Sequence, residues 1–74
     1  MATLELKSDI TGTVWKILKS PGERVGEDEP IVILESMKME IPVASPEPGT
    51  IREILVKEGA TVGEGAVVVR LDVD

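Results

Sequence analysis

Residues 12–35, GTVWKILKSPGERVGEDEPIVILE, recur in altered form as residues 49–72, GTIREILVKEGATVGEGAVVVRLD. The two segments align without a gap at an offset of 37 residues, and 10 of the 24 aligned pairs are identical. Self-similarity at a fixed spacing is typical of a duplicated structural unit. The sequence therefore predicts two equivalent halves related by a pseudo-two-fold axis.

Each half has the pattern of a strand, a glycine-containing loop and a second strand. β-Branched and aliphatic residues dominate the predicted strands, which are 14–19, 31–35, 51–56 and 67–72. Gly22 and Gly59 fall in the intervening loops, where glycine is free to adopt a positive φ. No segment sustains a 3.6-residue apolar period. We therefore predict one all-β domain over residues 1–74, a flattened barrel or sandwich of two antiparallel sheets.

The duplication also indicates which side chains point inward, because a buried position should be apolar in both halves. Positions 32 and 34 are apolar in both, whereas Ile33 corresponds to Arg70 and should face outward. Trp15 corresponds to Arg52, so at least part of the indole is expected on the surface. Positions 14 and 17 are apolar in both halves although they differ in strand parity, and a bulge near Trp15 reconciles them.

The composition limits the possible functions. The 74 residues carry a net charge of −6 and include no cysteine, no histidine and a single aromatic side chain. Disulfides, thiolate metal sites and histidine catalysis are therefore excluded, and the charge argues against binding to nucleic acid or an anionic membrane. The N-terminal residues lack the pattern of a signal peptide, and no apolar run approaches the roughly 20 residues of a membrane span. A monomeric, cytoplasmic protein is expected.

The segment Glu35–Glu40, ESMKME, lies between the two halves, after a predicted strand at 31–34 and before another at 41–43. Six residues are too few for a helix, so a tight hairpin is the expected connection. Its centre lacks the Asn-Gly pair that normally accommodates positive φ, which predicts strain of a kind found at functional sites. The repeat places the chain termini where the other half has Lys38, so the termini should meet at the opposite end of the domain.

Lys38 at such a tip is predicted to be a substrate. A solvated, protonated amine is unsuited to Schiff-base or general-base catalysis, but a partner enzyme can acylate it. Met37 and Met39 would offer apolar surface to that enzyme or to the attached group. Glu35 and Glu40 would orient the enzyme or simply add charge. The alternative is an ordinary surface lysine between methionines that fill the core.

The stretch Glu35-Ser36-Met37-Lys38-Met39 resembles the attachment motif of biotinyl carrier domains, whose usual form is Glu-Ala-Met-Lys-Met. The internal repeat is similar to that of the biotinyl/lipoyl attachment family, and the resemblance covers essentially the whole chain. It implies that Lys38 takes biotin in amide linkage from a biotin protein ligase. It further implies a non-catalytic carrier, with Glu35, Ser36, Met37 and Met39 as the recognition motif and a biotin carboxylase and a carboxyltransferase as partners.

Ser36 departs from this pattern, since biotinyl domains usually have alanine there and lipoyl domains often have serine or threonine. Lipoyl domains follow that residue with Asp-Lys-Ala, whereas Met37 and Met39 flank the lysine in this chain. Biotin is therefore favoured, and lipoate on the same lysine is the first alternative. The second is an unmodified structural or adaptor module.

The acidic run Glu27-Asp28-Glu29 is the remaining candidate for a metal or catalytic site. It falls in a loop and has no base nearby. We predict a solvated loop and no metal site.

Overall fold

The computed structural model describes residues 2–74 and contains eight strands and no helix within that range. The strands are β1 Ala2–Lys7, β2 Gly12–Ile17, β3 Arg24–Val25, β4 Pro30–Ser36, β5 Met39–Ala44, β6 Gly49–Ile54, β7 Thr61–Val62 and β8 Val67–Val73. They form two four-stranded antiparallel sheets, in the orders β1-β8-β6-β3 and β5-β4-β2-β7. The prediction of an all-β sandwich of two antiparallel sheets is confirmed.

The predicted pseudo-two-fold relates the two sheets strand by strand. Adding 37 to the residue numbers of β1 to β4 gives the bounds of β5 to β8, and the strand orders of the two sheets correspond. The register corresponds as well, because Ala2 pairs with Val73 as Met39 pairs with Ser36. The short strands β3 and β7 each pair with a strand from the other half, so neither half forms a sheet alone.

The core lies between the sheets and is built from aliphatic side chains. Its buried members are Leu6, Val14, Val25, Ile31, Val32, Leu34, Ile51, Val62, Val68, Val69, Leu71 and Val73. β-Branched residues dominate this set, as expected where side chains pack on a pleated surface. Ile33 lies outside the buried cluster, so the inward and outward assignment made from the repeat is confirmed.

The predicted bulge is present in both halves. Between β2 and β4 the register shifts between Val14 and Lys16, and between β6 and β8 it shifts between Ile51 and Glu53. In each sheet one extra residue is accommodated, which allows the apolar positions on either side to face the core. Trp15 is the extra residue in β2 and is 45% exposed.

Two buried serines fix the loops that follow β1 and β5. Ser8 and Ser45 occupy equivalent positions, and each hydroxyl donates a hydrogen bond to the carbonyl oxygen two residues later. The backbone of Ser8 also forms hydrogen bonds with residues 65–66, and the backbone of Ser45 forms them with residues 28–29. In each case the partner is a loop in the other half of the chain. Since a buried hydroxyl is costly unless it is hydrogen-bonded, these bonds make the serines compatible with the core.

Ala2, the first described residue, pairs with Val73 beside the C-terminus, and this end lies opposite the Glu35–Glu40 hairpin in a molecule 35 Å long. β5 runs away from the hairpin, and the segment after it reaches Pro48, whose carbonyl oxygen accepts a hydrogen bond from the Asp74 amide. Arg24 forms an ion pair with Asp74 at the same end. The predicted placement is confirmed for the C-terminus and for Ala2, and Met1 lies outside the described residues.

The acidic loop 27–29 is held by local hydrogen bonds. The Lys19 ammonium lies 2.6 Å from a Glu29 carboxylate oxygen, and the amide of Gly26 donates to the other oxygen at 2.8 Å. The hydrogen bond from Lys19 and then that from Gly26 lower the pKa of Glu29. No cluster of three or more potential metal ligands occurs between residues 2 and 74.

Candidate functional site

The lysine hairpin joins β4 to β5 through a turn of only two residues. Ser36 pairs with Met39, which leaves Met37 and Lys38 as the central residues of the turn. Their φ angles are +52° and +65°, the signature of a type I′ turn, whose twist matches that of the flanking strands. The connection is thus two residues long where six were expected, because each strand continues two residues beyond its apolar segment.

Both central residues adopt a backbone conformation that L-amino acids disfavour. The left-handed region costs roughly 1–2 kcal/mol per residue, and this turn has neither the glycine nor the asparagine that would reduce that cost. The one other non-glycine residue with positive φ among those described is Asp28, of a type that tolerates it. The strain in the hairpin is therefore confined to Met37 and Lys38.

Substitution of Met37 by asparagine is expected to stabilise the fold. Asparagine tolerates the left-handed conformation and Met37 is 91% exposed, so little packing is lost. The free energy of unfolding should rise by up to about 1 kcal/mol, measured by urea denaturation. Met39→Asn, the same substitution at an exposed strand position without positive φ, serves as the control. A loss of stability in Met37→Asn would contradict a strained turn.

The methionines beside Lys38 contribute nothing to the core. Met37 is 91% exposed and Met39 is 62% exposed, and the Lys38 side chain is exposed between them. Core filling, the alternative considered for these residues, is thus excluded. Two exposed methionine side chains next to the lysine present apolar surface beside one amine, which suits contact with a partner or an attached group.

Glu35 and Glu40 lie directly opposite each other at the base of the hairpin. They form a cross-strand pair, and both side chains are exposed. Like charges in this arrangement destabilise a sheet, and within residues 2–74 neither carboxylate forms a salt bridge. The hairpin therefore presents a local negative charge immediately behind Lys38.

The five residues singled out in the sequence all lie on this hairpin. Lys38 and Met37 form the turn, Met39 and Ser36 close it, and Glu35 lies one pair further back. Glu40 completes the set as the partner of Glu35. An exposed primary amine at the tip of a two-residue turn is chemically suited to accept an acyl group.

A groove of about 410 Å³ lies along the side of the molecule between β1 and β5. Its lining includes Leu6, Ile10, Leu34, Ile41 and Val43, together with charged side chains from β1 and the loop that follows it. Residues 35–40 take no part in it. The lysine therefore lies outside the groove and its amine is exposed to solvent.

Between residues 2 and 74 the chain has no helix of sufficient length and hydropathy to traverse a bilayer.

Comparison with known families places this hairpin in context. Residues 4–71 match the biotin/lipoyl family described as "Biotin-requiring enzyme". The chain is 39% identical over 62 residues to the biotin/lipoyl attachment protein of Bacillus subtilis, covering 84% of this chain and 85% of that protein. The chain belongs to the biotin/lipoyl attachment family. It is accordingly an attachment domain of the type to which biotin or lipoate is linked.

Solved structures of a carboxylase and of a lipoyl domain share the fold of this chain. Urea carboxylase of Kluyveromyces lactis superposes with a TM-score of 0.92 at 30% identity, over 97% of this chain and 6% of that enzyme. The lipoyl domain of the 2-oxoglutarate dehydrogenase complex of Azotobacter vinelandii gives a TM-score of 0.73 at 40% identity, over 84% of this chain and 78% of that domain. The TM-score is higher for the carboxylase, whereas the sequence identity is higher for the lipoyl domain. Overall similarity therefore does not distinguish biotin from lipoate as the attached cofactor.

Proposed function

We propose that this attachment domain is a biotin carrier. Lys38 is acylated by a biotin protein ligase, and the attached biotin carries a carboxyl group between a biotin carboxylase and a carboxyltransferase. The observation behind this proposal is the position of Lys38 at the hairpin tip between two exposed methionines. The match to the family makes attachment the general role, and the methionines favour biotin as the group attached.

The attachment step forms one amide bond. The ligase deprotonates the Lys38 ammonium, and the free amine attacks the acyl carbon of biotinyl-adenylate. AMP leaves with the electron pair of the broken acyl–phosphate bond, and the attacking nitrogen loses a second proton to give the neutral amide. A two-residue turn restricts how the amine can be presented, which lowers the entropy lost when it enters the ligase.

The domain itself supplies position and no catalytic group. When bound, biotin would supply the ring nitrogen that accepts and releases the carboxyl group. Lys38 lies at one end of the sandwich, and Ala2 and Asp74 lie at the other, so an attachment to a larger assembly at that end would leave the tip free. Docking of such a carrier raises the local concentration of the cofactor at each active site.

The preference for biotin is testable with two ligases. A biotin protein ligase and a lipoate ligase would each be supplied with the chain, ATP and the corresponding acid. We expect the kcat/KM of the biotin protein ligase on this chain to exceed that of the lipoate ligase by at least about tenfold. A ratio of this size is within the range that substrate recognition alone can give. Lipoylation at an equal or greater kcat/KM would overturn the assignment of biotin.

Exchange of the flanking methionines should shift this preference. The double variant Met37→Asp with Met39→Ala reproduces the Asp-Lys-Ala pattern of lipoyl domains around Lys38. Both side chains are exposed, so the fold should be retained. Lipoylation is expected to rise by about tenfold or more and biotinylation to fall. Ser36→Ala is the control and should leave biotinylation intact. Unchanged lipoylation in the double variant would count against a role of these residues in cofactor choice.

Lipoate on Lys38 is the second candidate function. Ser36 and the 40% identity to a lipoyl domain favour it. The unmodified adaptor is the third, and it would be favoured if the chain stayed unmodified in the presence of active ligases. The two-ligase assay separates all three, because an adaptor should accept neither group.

A further inference from the structure

The outer face of the lysine-bearing sheet carries an apolar stripe. Lys16 pairs with Ile33, and Ile33 pairs with Pro42, so the three residues form one row across β2, β4 and β5. Trp15, the bulge residue beside Lys16, is 45% exposed, and the Lys16 ammonium lies 5.7 Å from the centre of its ring. We call Trp15, Ile33 and Pro42 the Trp15 stripe.

The pseudo-two-fold provides an internal comparison for this stripe. The equivalent positions on the other sheet are Arg52, Arg70 and Glu5, all charged. The guanidinium of Arg70 lies 3.4 Å from Glu5 and 3.0 Å from Glu53, as expected on a solvated face. The same backbone thus supports a charged outer row in one sheet and an apolar one in the other. The fold does not require the Trp15 stripe to be apolar.

The stripe is continuous with the lysine hairpin. Outward-facing residues alternate along β4, so the Glu35–Glu40 pair is the next outer row after Ile33 toward the tip. Lys38 is five positions after Ile33, which at about 3.3 Å per residue places the stripe roughly 15 Å from the lysine. The exposed methionines complete the surface. One face of the molecule therefore presents an apolar row, a pair of carboxylates and the amine in that order.

We infer that the Trp15 stripe is a docking surface for the enzyme that acylates Lys38. The inference rests on the proposed function. The complementary surface of that enzyme would have an apolar patch for Trp15 and Ile33 and a cationic side chain opposite Glu35 and Glu40. Aromatic side chains surrounded by such contacts are the usual anchors of protein interfaces. Charge complementarity at the glutamates would set the register of docking.

The acylating enzyme is the occupant that fits best, because it must act on the bare lysine. Its active site has to approach within the length of the Lys38 side chain, so its surface must contact the sheet faces beside the hairpin. Enzymes that use the attached cofactor reach it through the longer, acylated arm. They do not need to cover residues about 15 Å behind the tip.

The test exchanges residues between the two faces. Trp15→Arg with Ile33→Arg places at these positions the residues already present at 52 and 70, which the same backbone accommodates. The matched control, Arg52→Trp with Arg70→Ile, places the stripe residues on the opposite face. Acylation of both variants would be followed with whichever of the biotin and lipoate ligases modifies the native chain, and folding would be checked by circular dichroism and thermal unfolding. If the first variant does not fold, Trp15→Arg alone replaces it.

We expect the stripe variant to lose at least about tenfold in kcat/KM through a higher KM, and the control to stay within about twofold of the native chain. Equal rates for the stripe variant and the native chain would overturn the docking surface while leaving Lys38 as the acceptor. An equal loss in both variants would overturn it too, because the effect would then not depend on the face. Failure of the native chain to be acylated by either ligase would instead overturn the proposed function, and the inference with it.

Discussion

Replacement of Lys38 by arginine is expected to abolish cofactor attachment while leaving the fold intact. A guanidinium stays protonated and is a poor nucleophile, so no amide can form at this position. The side chain is exposed and arginine retains the charge. The free energy of unfolding should therefore change by less than about 0.5 kcal/mol. The measurement is the extent of biotinylation after incubation with ligase, read by mass spectrometry, together with a denaturation curve.

The matched control for Lys38→Arg is Lys57→Arg. Lys57 is also exposed but lies in the loop before β7, outside the hairpin. This variant should be biotinylated as fully as the native chain. Cofactor retained on Lys38→Arg would contradict the account, because another amine would then be the acceptor.

Replacement of Gly12 or Gly49 by alanine is expected to give the largest loss of stability. These equivalent glycines begin β2 and β6, where a neighbouring backbone approaches closely. An added Cβ at Gly12 would lie 2.7 Å from the Glu35 carbonyl oxygen, and one at Gly49 would overlap the Asp72 carbonyl oxygen. Backbone cannot move aside as a flexible side chain can. Each variant should lose about 3 kcal/mol of unfolding free energy, measured by urea denaturation.

Gly63→Ala provides the control for these two variants. No heavy atom lies within 4 Å of the Cβ that alanine would add there, so the change should be close to neutral.

Substitution of Gly12 should also affect acylation, because the added Cβ would contact Glu35 at the base of the lysine hairpin. Gly12→Ala should thus also slow acylation, whereas Gly49→Ala, at the far end, should not. Native-like stability in Gly12→Ala and Gly49→Ala would show that the strands separate readily at these points.

Much of the fold could be predicted from the repeat. A position that is apolar in both halves is expected in the core, as at positions 32 and 34. A position that is apolar in one half and charged in the other is expected on the surface, as at Ile33 and Arg70. The bulge at Trp15 followed from the same comparison, since only an extra residue allows both flanking apolar positions to face inward. The candidate site followed from Lys38 and its neighbours, which are adjacent in sequence and need no tertiary structure to be brought together.

Other features depend on long-range contacts that local sequence does not encode. The strands β3 and β7 are two residues long and exist because each pairs with the other half of the chain. Ser8 and Ser45 were not predicted to be buried, since serine is usually exposed and their partners lie in distant loops. Their equivalence under the 37-residue offset was the available signal. The turn at Met37 and Lys38 was predicted as a hairpin but not at its observed length, because Ser36 and Met39 are polar or exposed and nonetheless pair.

The most direct test of the account is the mass of the protein isolated from cells that contain active biotin and lipoate ligases and are supplied with both acids. Intact mass would be followed by peptide mapping of the segment that contains Lys38. We expect a single biotinyl increment on Lys38 and no other modified lysine. A lipoyl increment, an increment on a different lysine, or an unmodified chain would each contradict the claim that Lys38 is the site of biotin attachment.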